Sequence, residues 1–186
     1  MQYAKHGDRY VVRLDDGEEV METMRSFLAK RDIWAGYFLA WGGFSELTLK
    51  YYRVNERDYK ERRIEAQVEV VSLLGNIARL DGEPIIHAHT TVGDEEYRTY
   101  SGHLGEGRVR PLMEVFVTPF SGELRRVHDE ERNLSVLDLG VGQEPVQPAS
   151  GVRSQGEGSW AGDRRGGGRR PGAPPLKLRG AARSGK

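Results

Sequence analysis

Apolar residues recur with a helical period in one early segment of the chain, DDGEEVMETMRSFLAKRD, residues 15–32. Four of them fall at i, i+4, i+7 and i+8, on one face of a helix: Val20, Met24, Phe27 and Leu28. Asp16 precedes this face and Glu19 follows three positions later, which matches a capping box. The pattern predicts a helix that starts near Asp16 and buries this face in a core.

Most other apolar segments before Gly140 are short or alternate with polar residues, and turn residues separate them, which is typical of strands. Strands are predicted over RYVVRL, IWAGYFLAW, SELTLKYYRV, IEAQVEVVSLL, PIIHAHTTV, YRTYSGHL, PLMEVFVTPF and NLSVLDL. Turns are predicted at Gly42–Gly43 and over GNIARLDGE, and NERDYKERR is predicted to be a charged connection. One helix among many consecutive strands indicates an α+β domain, an antiparallel β-sheet with one main flanking helix.

The pattern stops at about Gly140. Residues 141–186 are rich in Gly, Pro and Arg, have few large apolar residues, and are predicted to be a disordered basic tail behind a folded domain at residues 1–140. Residues 1–140 hold 19 Lys and Arg against 25 Asp and Glu, whereas residues 141–186 hold 9 against 3. If either part contacts nucleic acid, the charge favours the tail over the acidic domain; the alternative is that the tail is a solvated extension without a partner.

Composition excludes several classes of protein. The chain has no cysteine, so disulfides, thiolate zinc sites and cysteine nucleophiles are excluded, and a metal site must use histidines and carboxylates. No apolar run approaches the roughly 20 residues that span a bilayer, and the first residues lack a secretory signal. We therefore expect a cytoplasmic protein without a membrane partner.

Three of the five histidines lie between residues 84 and 104. His87 and His89 point to one face of a predicted strand because side chains alternate. If the following hairpin pairs residue 93 with residue 97, His103 lies opposite His87 on the same face, and Gly102 admits a close backbone approach. Imidazoles at such separations can bind one Zn²⁺ and leave a fourth position open, so His87, His89 and His103 are the predicted metal ligands.

The role of such a site remains open from these residues alone. The histidines could instead satisfy hydrogen bonds in a polar sheet face or a subunit contact. Glu114, on a later predicted strand, is a candidate ligand, ligand partner or base, although a structural salt bridge is favoured. Glu106 is a second candidate base if a zinc-activated water performs hydrolysis or hydration. No motif for a catalytic nucleophile or phosphate loop accompanies the histidines, so an enzyme is the less favoured hypothesis and no catalytic residue is assigned.

Taken together, several motifs resemble those of the PPC domain, the plants and prokaryotes conserved domain. The resemblance covers about residues 8–139 and depends on the joint occurrence of four features in order. They are Ser72-Leu73-X-Gly75-Asn76, His87-X-His89, Gly102-His103-Leu104-X-X-Gly107 and Glu114.

The resemblance implies an antiparallel sheet with a flanking helix, assembled into a homotrimer. It also implies that His87, His89 and His103 meet near the subunit interface and bind a metal, zinc, in some prokaryotic members. Plant members join the domain to an Arg-Gly-Arg-Pro element that binds the minor groove of DNA; here Arg169 and Arg170 are adjacent, so that spacing is missing.

We therefore expect a trimeric binding or regulatory protein, with DNA as a candidate partner of the basic tail. The alternative is a metal-dependent enzyme or small-ligand-binding protein that uses the same histidines. In a third reading the metal only stabilises the trimer.

Overall fold

The computed structural model describes residues 1–140, and the predicted disordered tail, residues 141–186, lies outside the described residues. Within residues 1–140 one helix, α1 (Val20–Lys30), accompanies nine strands. The strands are β1 (Gln2–His6), β2 (Arg9–Asp15), β3 (Gly36–Arg53), β4 (Asp58–Ile64), β5 (Val68–Leu80), β6 (Glu83–Gly93), β7 (Thr99–Pro119), β8 (Arg125–Asp129) and β9 (Leu134–Asp138). No helix in this part of the chain is long and apolar enough to cross a membrane.

The strands form one sheet in which four members pair in a closed circuit. Strand β3 pairs with β5, β5 with β6, the end of β6 with the start of β7, and β7 again with β3, all antiparallel. Strands β1 and β2 extend the sheet beyond β7, β4 pairs with the end of β3, and the β8–β9 hairpin joins β5 through a single parallel pair. The α+β class predicted from the pattern is thus confirmed at the level of one helix on a mostly antiparallel sheet.

The hydrophobic core lies between one face of the sheet and α1. The helix packs against β6 and β7. Its predicted apolar face is buried, with Val20, Met24, Phe27 and Leu28 each at most 2% exposed. Burying a side chain of this size contributes about 1.5–3 kcal/mol, so this face is what fixes the helix to the sheet.

The predicted start of the helix was wrong by one turn. The N-cap is Glu19, whose carboxylate accepts hydrogen bonds from the backbone N–H groups of Met21 and Glu22 and also from Gly107 on β7. The chain before it cannot be helical because Gly17 and Glu18 exchange backbone hydrogen bonds of 2.9 Å with Val109. The segment that the capping-box pattern assigned to the start of the helix therefore pairs with β7 instead.

The predicted turn at Gly42–Gly43 was also wrong, because β3 runs without interruption from Gly36 to Arg53. Because Gly42 and Gly43 have no side chains, they instead allow the backbone of β7 to approach β3 closely. A Cβ atom on Gly43 would lie 2.3 Å from the carbonyl oxygen of Arg110, far inside van der Waals contact. The strand register also shifts between Gly42 and Phe44, which marks a bulge at this crossing.

Other strand boundaries differ from the prediction for related reasons. Strand β5 continues to Leu80, where the sequence predicted a bend, and YRTYSGHL and PLMEVFVTPF belong to the single strand β7. Six of the nine residues of the predicted charged connection belong to strand β4, which pairs only with β3 and exposes its charged side chains to water. The sequence pattern missed β1 and β8 because both are short, polar and exposed.

Candidate metal centre

The three histidines of the predicted site lie together on the sheet face opposite the core. Along β6, Ile86, Ala88 and Thr90 point into the core, so the alternating His87 and His89 point outward. His103 reaches the same face from β7, where it pairs directly with His89. The backbone of β7 comes close to β3 here, since a Cβ atom on Gly102 would lie 3.0 Å from the carbonyl oxygen of Lys50.

The register of the β6–β7 hairpin differs from the predicted one by two residues. Gly93 pairs with Thr99 instead of residue 97, so His103 lies opposite His89 and not opposite His87. A shift of two residues preserves the alternation of faces, whereas a shift of one would have turned His103 away. The expected convergence of the three side chains therefore holds despite the wrong register.

The distances within the cluster are short. One ring nitrogen from each histidine lies within 4.8 Å of the others. The Nε2 atoms of His87 and His89 are 3.2 Å apart, and the ring centroids of His87 and His103 are 4.9 Å apart. In a tetrahedral site with Zn–N bonds of 2.0–2.1 Å, ligand nitrogens are about 3.3 Å apart. The His87–His89 pair already has this separation, and His103 needs only a small approach.

Arg126 of β8 lies beside the cluster. Its Nη2 atom is 3.1 Å from Nδ1 of His87 and donates to Oδ1 of Asn76 at 3.0 Å, and its Nη1 atom donates to the carbonyl oxygen of Ser135. The Nε atom is buried and has no hydrogen-bond partner among the described residues. Burial lowers the pKa of this guanidinium from its usual value.

The wall next to His103 consists of aromatic and paired charged side chains. The ring of Tyr59, on β4, lies 5.4 Å from the His103 ring between centroids. Lys50, which pairs with His103 across β3 and β7, forms a salt bridge of 2.6 Å with Glu61. The nearby positive charge of Lys50 is thus offset, while Arg126 has no salt bridge with any carboxylate of residues 1–140.

Burial and neighbouring positive charge favour the neutral imidazole of His87 and of His103. Desolvation is the largest of the effects that together lower the pKa of His103 to about 4, and the nearby His87, His89, Lys50 and Arg126 act in the same direction. The pKa of His87 is lowered by desolvation and then by Arg126 and His89. A neutral imidazole is the form that binds a metal, so the site is ready for a cation near pH 7.

Neither predicted carboxylate belongs to the cluster. Glu114 pairs with Trp41 across β3 and β7, nine residues along β3 from the Lys50–His103 pair, so roughly 30 Å of strand separates it from the histidines. The suggestion that Glu114 acts as a metal ligand or as a base was therefore wrong. Glu106 lies closer along β7, and its carboxylate accepts a hydrogen bond of 3.0 Å from the Thr48 hydroxyl. The metal-type cluster found among residues 1–140 contains the three histidines alone.

No pattern in the sequence indicated a role for Arg126 or Tyr59. Both lie on strands that the sequence pattern missed, and neither belongs to a spaced motif. Asn76 was part of a recognised motif, but its function as the acceptor that orients Arg126 required the β5–β8 contact. Such long-range pairs are invisible to periodicity because they depend on which strands become neighbours.

An exposed apolar patch continues from the histidines across the same sheet face. Leu74 pairs with His89 on one side and with Leu39 on the other, and Leu39 pairs with Phe116. Phe116 packs against Trp41 with ring centroids 5.8 Å apart. The large side chains of the patch are 40% to 58% exposed: Tyr37, Trp41, Leu74, Leu112, Phe116 and Phe120.

Comparisons with known proteins show which family has this fold. Residues 1–121 match the family model described as the Plants and Prokaryotes Conserved (PCC) domain. A crystal structure of a candidate DNA-binding protein from Bacteroides thetaiotaomicron is similar, with a TM-score of 0.72 and 26% sequence identity over 74% of this chain and 96% of that one.

A second solved structure is the metal-containing protein AF0104 from Archaeoglobus fulgidus. It is 30% identical over 73% of this chain and 97% of that chain, with a TM-score of 0.66. The curated bifunctional protein GlmU of Synechococcus sp. (strain JA-3-3Ab) is 28% identical over 151 residues, which cover 80% of this chain. The match spans only 23% of that much longer protein.

Proposed function

Because this chain belongs to the Plants and Prokaryotes Conserved (PCC) domain family, we propose that it is a homotrimeric binding or regulatory protein with a zinc site at His87, His89 and His103. The observation that carries the proposal is the convergence of three imidazoles on one sheet face, with the Nε2 atoms of His87 and His89 3.2 Å apart. Hydrogen bonds alone do not require that arrangement.

The donor set fits zinc. Three imidazole nitrogens with an open fourth position suit a borderline-soft divalent ion, and copper, nickel and iron are the competing metals. The metal-containing relative AF0104 supports a metal in this fold. A bound ion would supply Lewis acidity at the open position. Of the chain's own residues, His87, His89 and His103 would hold the ion, and Tyr59 would limit access of water from the β4 side.

A metal assay tests this part of the proposal. Full-chain protein purified without an affinity tag should bind one zinc per chain, and His103→Ala should reduce both stoichiometry and affinity by at least tenfold because it removes one of three ligands. His128→Ala is the matched control, since His128 is an exposed histidine on β8. Substoichiometric zinc that is unchanged by His103→Ala would contradict the zinc site.

The apolar patch supports the trimer. A monomeric protein rarely exposes a contiguous set of large aromatic and aliphatic side chains, and such a surface is typical of a protein interface. Because the patch adjoins His89, assembly would also cover one side of the histidine cluster. A bound metal would then stabilise the trimer by mass action, and chelation would lower its melting temperature.

Contact with DNA is the proposed role of the basic tail. Two observations support it: the net charge of +6 over residues 141–186 and the description of the Bacteroides relative as a candidate DNA-binding protein. The folded part carries a net charge of −6 and is not suited to phosphate contact as a whole.

A second candidate function is the binding or conversion of a small ligand at the same histidines. Arg126 favours it, because a half-buried guanidinium without a carboxylate partner in residues 1–140 lies 3.1 Å from a predicted metal ligand. A structural metal site has no need of such a group.

A further inference from the structure

The side chain of Arg126 is incompletely satisfied. Three of its hydrogen bonds go to neutral acceptors, namely Ser135, Asn76 and His87, and the buried Nε–H has no acceptor among the described residues. No carboxylate in residues 1–140 forms a salt bridge with it. Leaving a charged group without a counter-ion in a partly desolvated site is unfavourable. Burial of this kind suggests that the missing partner is an anion from outside the chain.

The contact with His87 defines the proton positions in the metal-free site. A guanidinium has donors and no acceptor, so Nδ1 of His87 must accept from Arg126. The single proton of the neutral ring is then on Nε2, from which it donates towards Nε2 of His89 at 3.2 Å. This arrangement satisfies one N–H of Arg126 only while Nε2 of His87 keeps its proton.

Binding of a metal at the cluster would move the ring proton of His87 from Nε2 to Nδ1. His87 can reach the other histidines only through Nε2, because Nδ1 faces Arg126. When Nε2 is the ligand atom, the ring proton moves to Nδ1, and Nδ1–H opposes an N–H of Arg126. The guanidinium then has two N–H groups without acceptors, on Nε and on Nη2. In a guanidinium these two atoms can donate in parallel, which is the geometry of a bidentate pair with a carboxylate or phosphate.

We propose that Arg126 is the anion-binding residue of the histidine site, and that the site takes a small oxyanion, a carboxylate or a phosphate, beside the three imidazoles. The inference rests on the proposed zinc site and adds the charge and class of its ligand. Metal and anion binding are positively coupled, because metal binding at His87 releases the Nη2 N–H, the second of the two N–H groups that hold the anion, and the coupling is reciprocal. Arg126 needs only to turn away from His87 to meet the anion.

Cobalt-substituted full-chain protein provides the test. The visible absorption of Co²⁺ in a histidine site changes when a new ligand enters, so titration with acetate and, separately, with inorganic phosphate gives the dissociation constant of each anion. Arg126→Gln should weaken binding of the preferred anion by about 10- to 100-fold, as expected for loss of a charge-assisted hydrogen-bonded pair. Arg126→Lys keeps the charge without the planar fork and should weaken it less. Arg125→Gln is the control, since the adjacent Arg125 is exposed and paired with Glu123.

The outcomes separate this inference from the proposed zinc site. If the wild type takes up cobalt but neither anion alters its spectrum, or if Arg126→Gln binds anions as tightly as the wild type, the role of Arg126 is overturned and the metal site stands. If the wild type takes up no cobalt, the metal site fails and the anion proposal fails with it. Cobalt uptake must persist in Arg126→Gln, which shows that the variant is folded.

Discussion

At the scale of single residues, the position of His103 in the sheet determines the protonation state of its imidazole ring. The ring is half-buried among two other imidazoles, Lys50 and Arg126, and desolvation and like charge both disfavour its protonation. A histidine alone in water would be partly charged near pH 6.5. This one stays neutral well below that, and its lone pair remains available to a cation.

The lowered pKa of His103 should make the stability of the protein depend on pH. The metal-free protein should lose stability as the pH falls from about 6.5 to about 4, since the unfolded chain takes up a proton at His103 across that window and the folded one does not. Below the folded-state pKa the contribution is constant. Urea unfolding of the wild type and of His103→Gln across this range measures the effect, and the variant should show a weaker dependence. A ring pKa near 6.5 for His103, measured by NMR in metal-free protein, would refute the account.

Single residues also show how much of the candidate site could be predicted from the sequence. The His-X-His spacing and strand alternation were enough to bring His87, His89 and His103 together, because a two-residue error in register does not change the face. They were not enough for Glu114, whose distance along β7 depends on how long that strand is. Arg126 could not be found at all, since its contact with His87 depends on where the β8–β9 hairpin folds.

At the scale of secondary-structure elements, glycine has a different meaning in this chain from the one that its usual role in turns suggests. Gly42 and Gly43 were predicted to end a strand, yet they are the positions where two long strands cross most closely. Local pattern cannot distinguish the two uses, because both require only that a side chain be absent. The helix was easier to predict, since a sustained apolar face of four residues has no strand equivalent.

Substitution at Gly43 tests this explanation. Gly43→Ala should destabilise the protein by about 2–3 kcal/mol, because the new Cβ collides with backbone that cannot move without separating β3 and β7. Gly93→Ala is the matched control: it also lies in a strand without positive φ, and its Cβ would meet only a Val71 methyl group at 3.8 Å. Its unfolding free energy should change by less than about 1 kcal/mol. Equal costs in chemical denaturation would count against the close approach of the two strands.

At the scale of the whole molecule, the apolar patch and the two charge regions are the features on which the proposed trimer and the proposed DNA contact depend. The domain carries excess negative charge, the tail carries excess positive charge, and the patch is an apolar surface that β3, β5 and β7 leave exposed. These features lie in different regions of the sequence, so assembly and DNA contact can be tested separately.

Assembly through the patch predicts a specific effect of a buried charge. Phe116→Glu should convert the trimer to monomer in sedimentation experiments, because the carboxylate would have to leave water inside the interface. Val54→Glu is the control, since Val54 is exposed on the turn after β3 and lies outside the patch. A Phe116→Glu protein that remains trimeric would show that copies meet elsewhere. A wild-type monomer would dismiss the trimer itself.

Contact with DNA through the tail predicts an effect of salt. Gln substitution of Arg169 and Arg170 in the full chain should weaken duplex binding and lower the slope of log K against log salt by about 1.8, if both arginines contact phosphates. The same substitution of Arg9 and Arg25, which are exposed in the folded domain, should leave both quantities unchanged. The same loss in both variants would indicate nonspecific attraction to net charge, and no binding below micromolar levels by the wild type would rule DNA out.

The closed pairing of β3, β5, β6 and β7 has a consequence for solubility. From His89 to Gly93, β6 has paired neighbours on both sides, so this part of the circuit offers no free edge to the backbone of another chain. Within residues 1–140, free edges include β1, β4, β9, most of β8 and residues 83–88 of β6, each with at most seven residues, and most of β4 is charged. Short or charged edges discourage the uncontrolled strand addition that leads to aggregates. In the proposed trimer, copies would then meet through side-chain packing, which can stop at a defined number of copies.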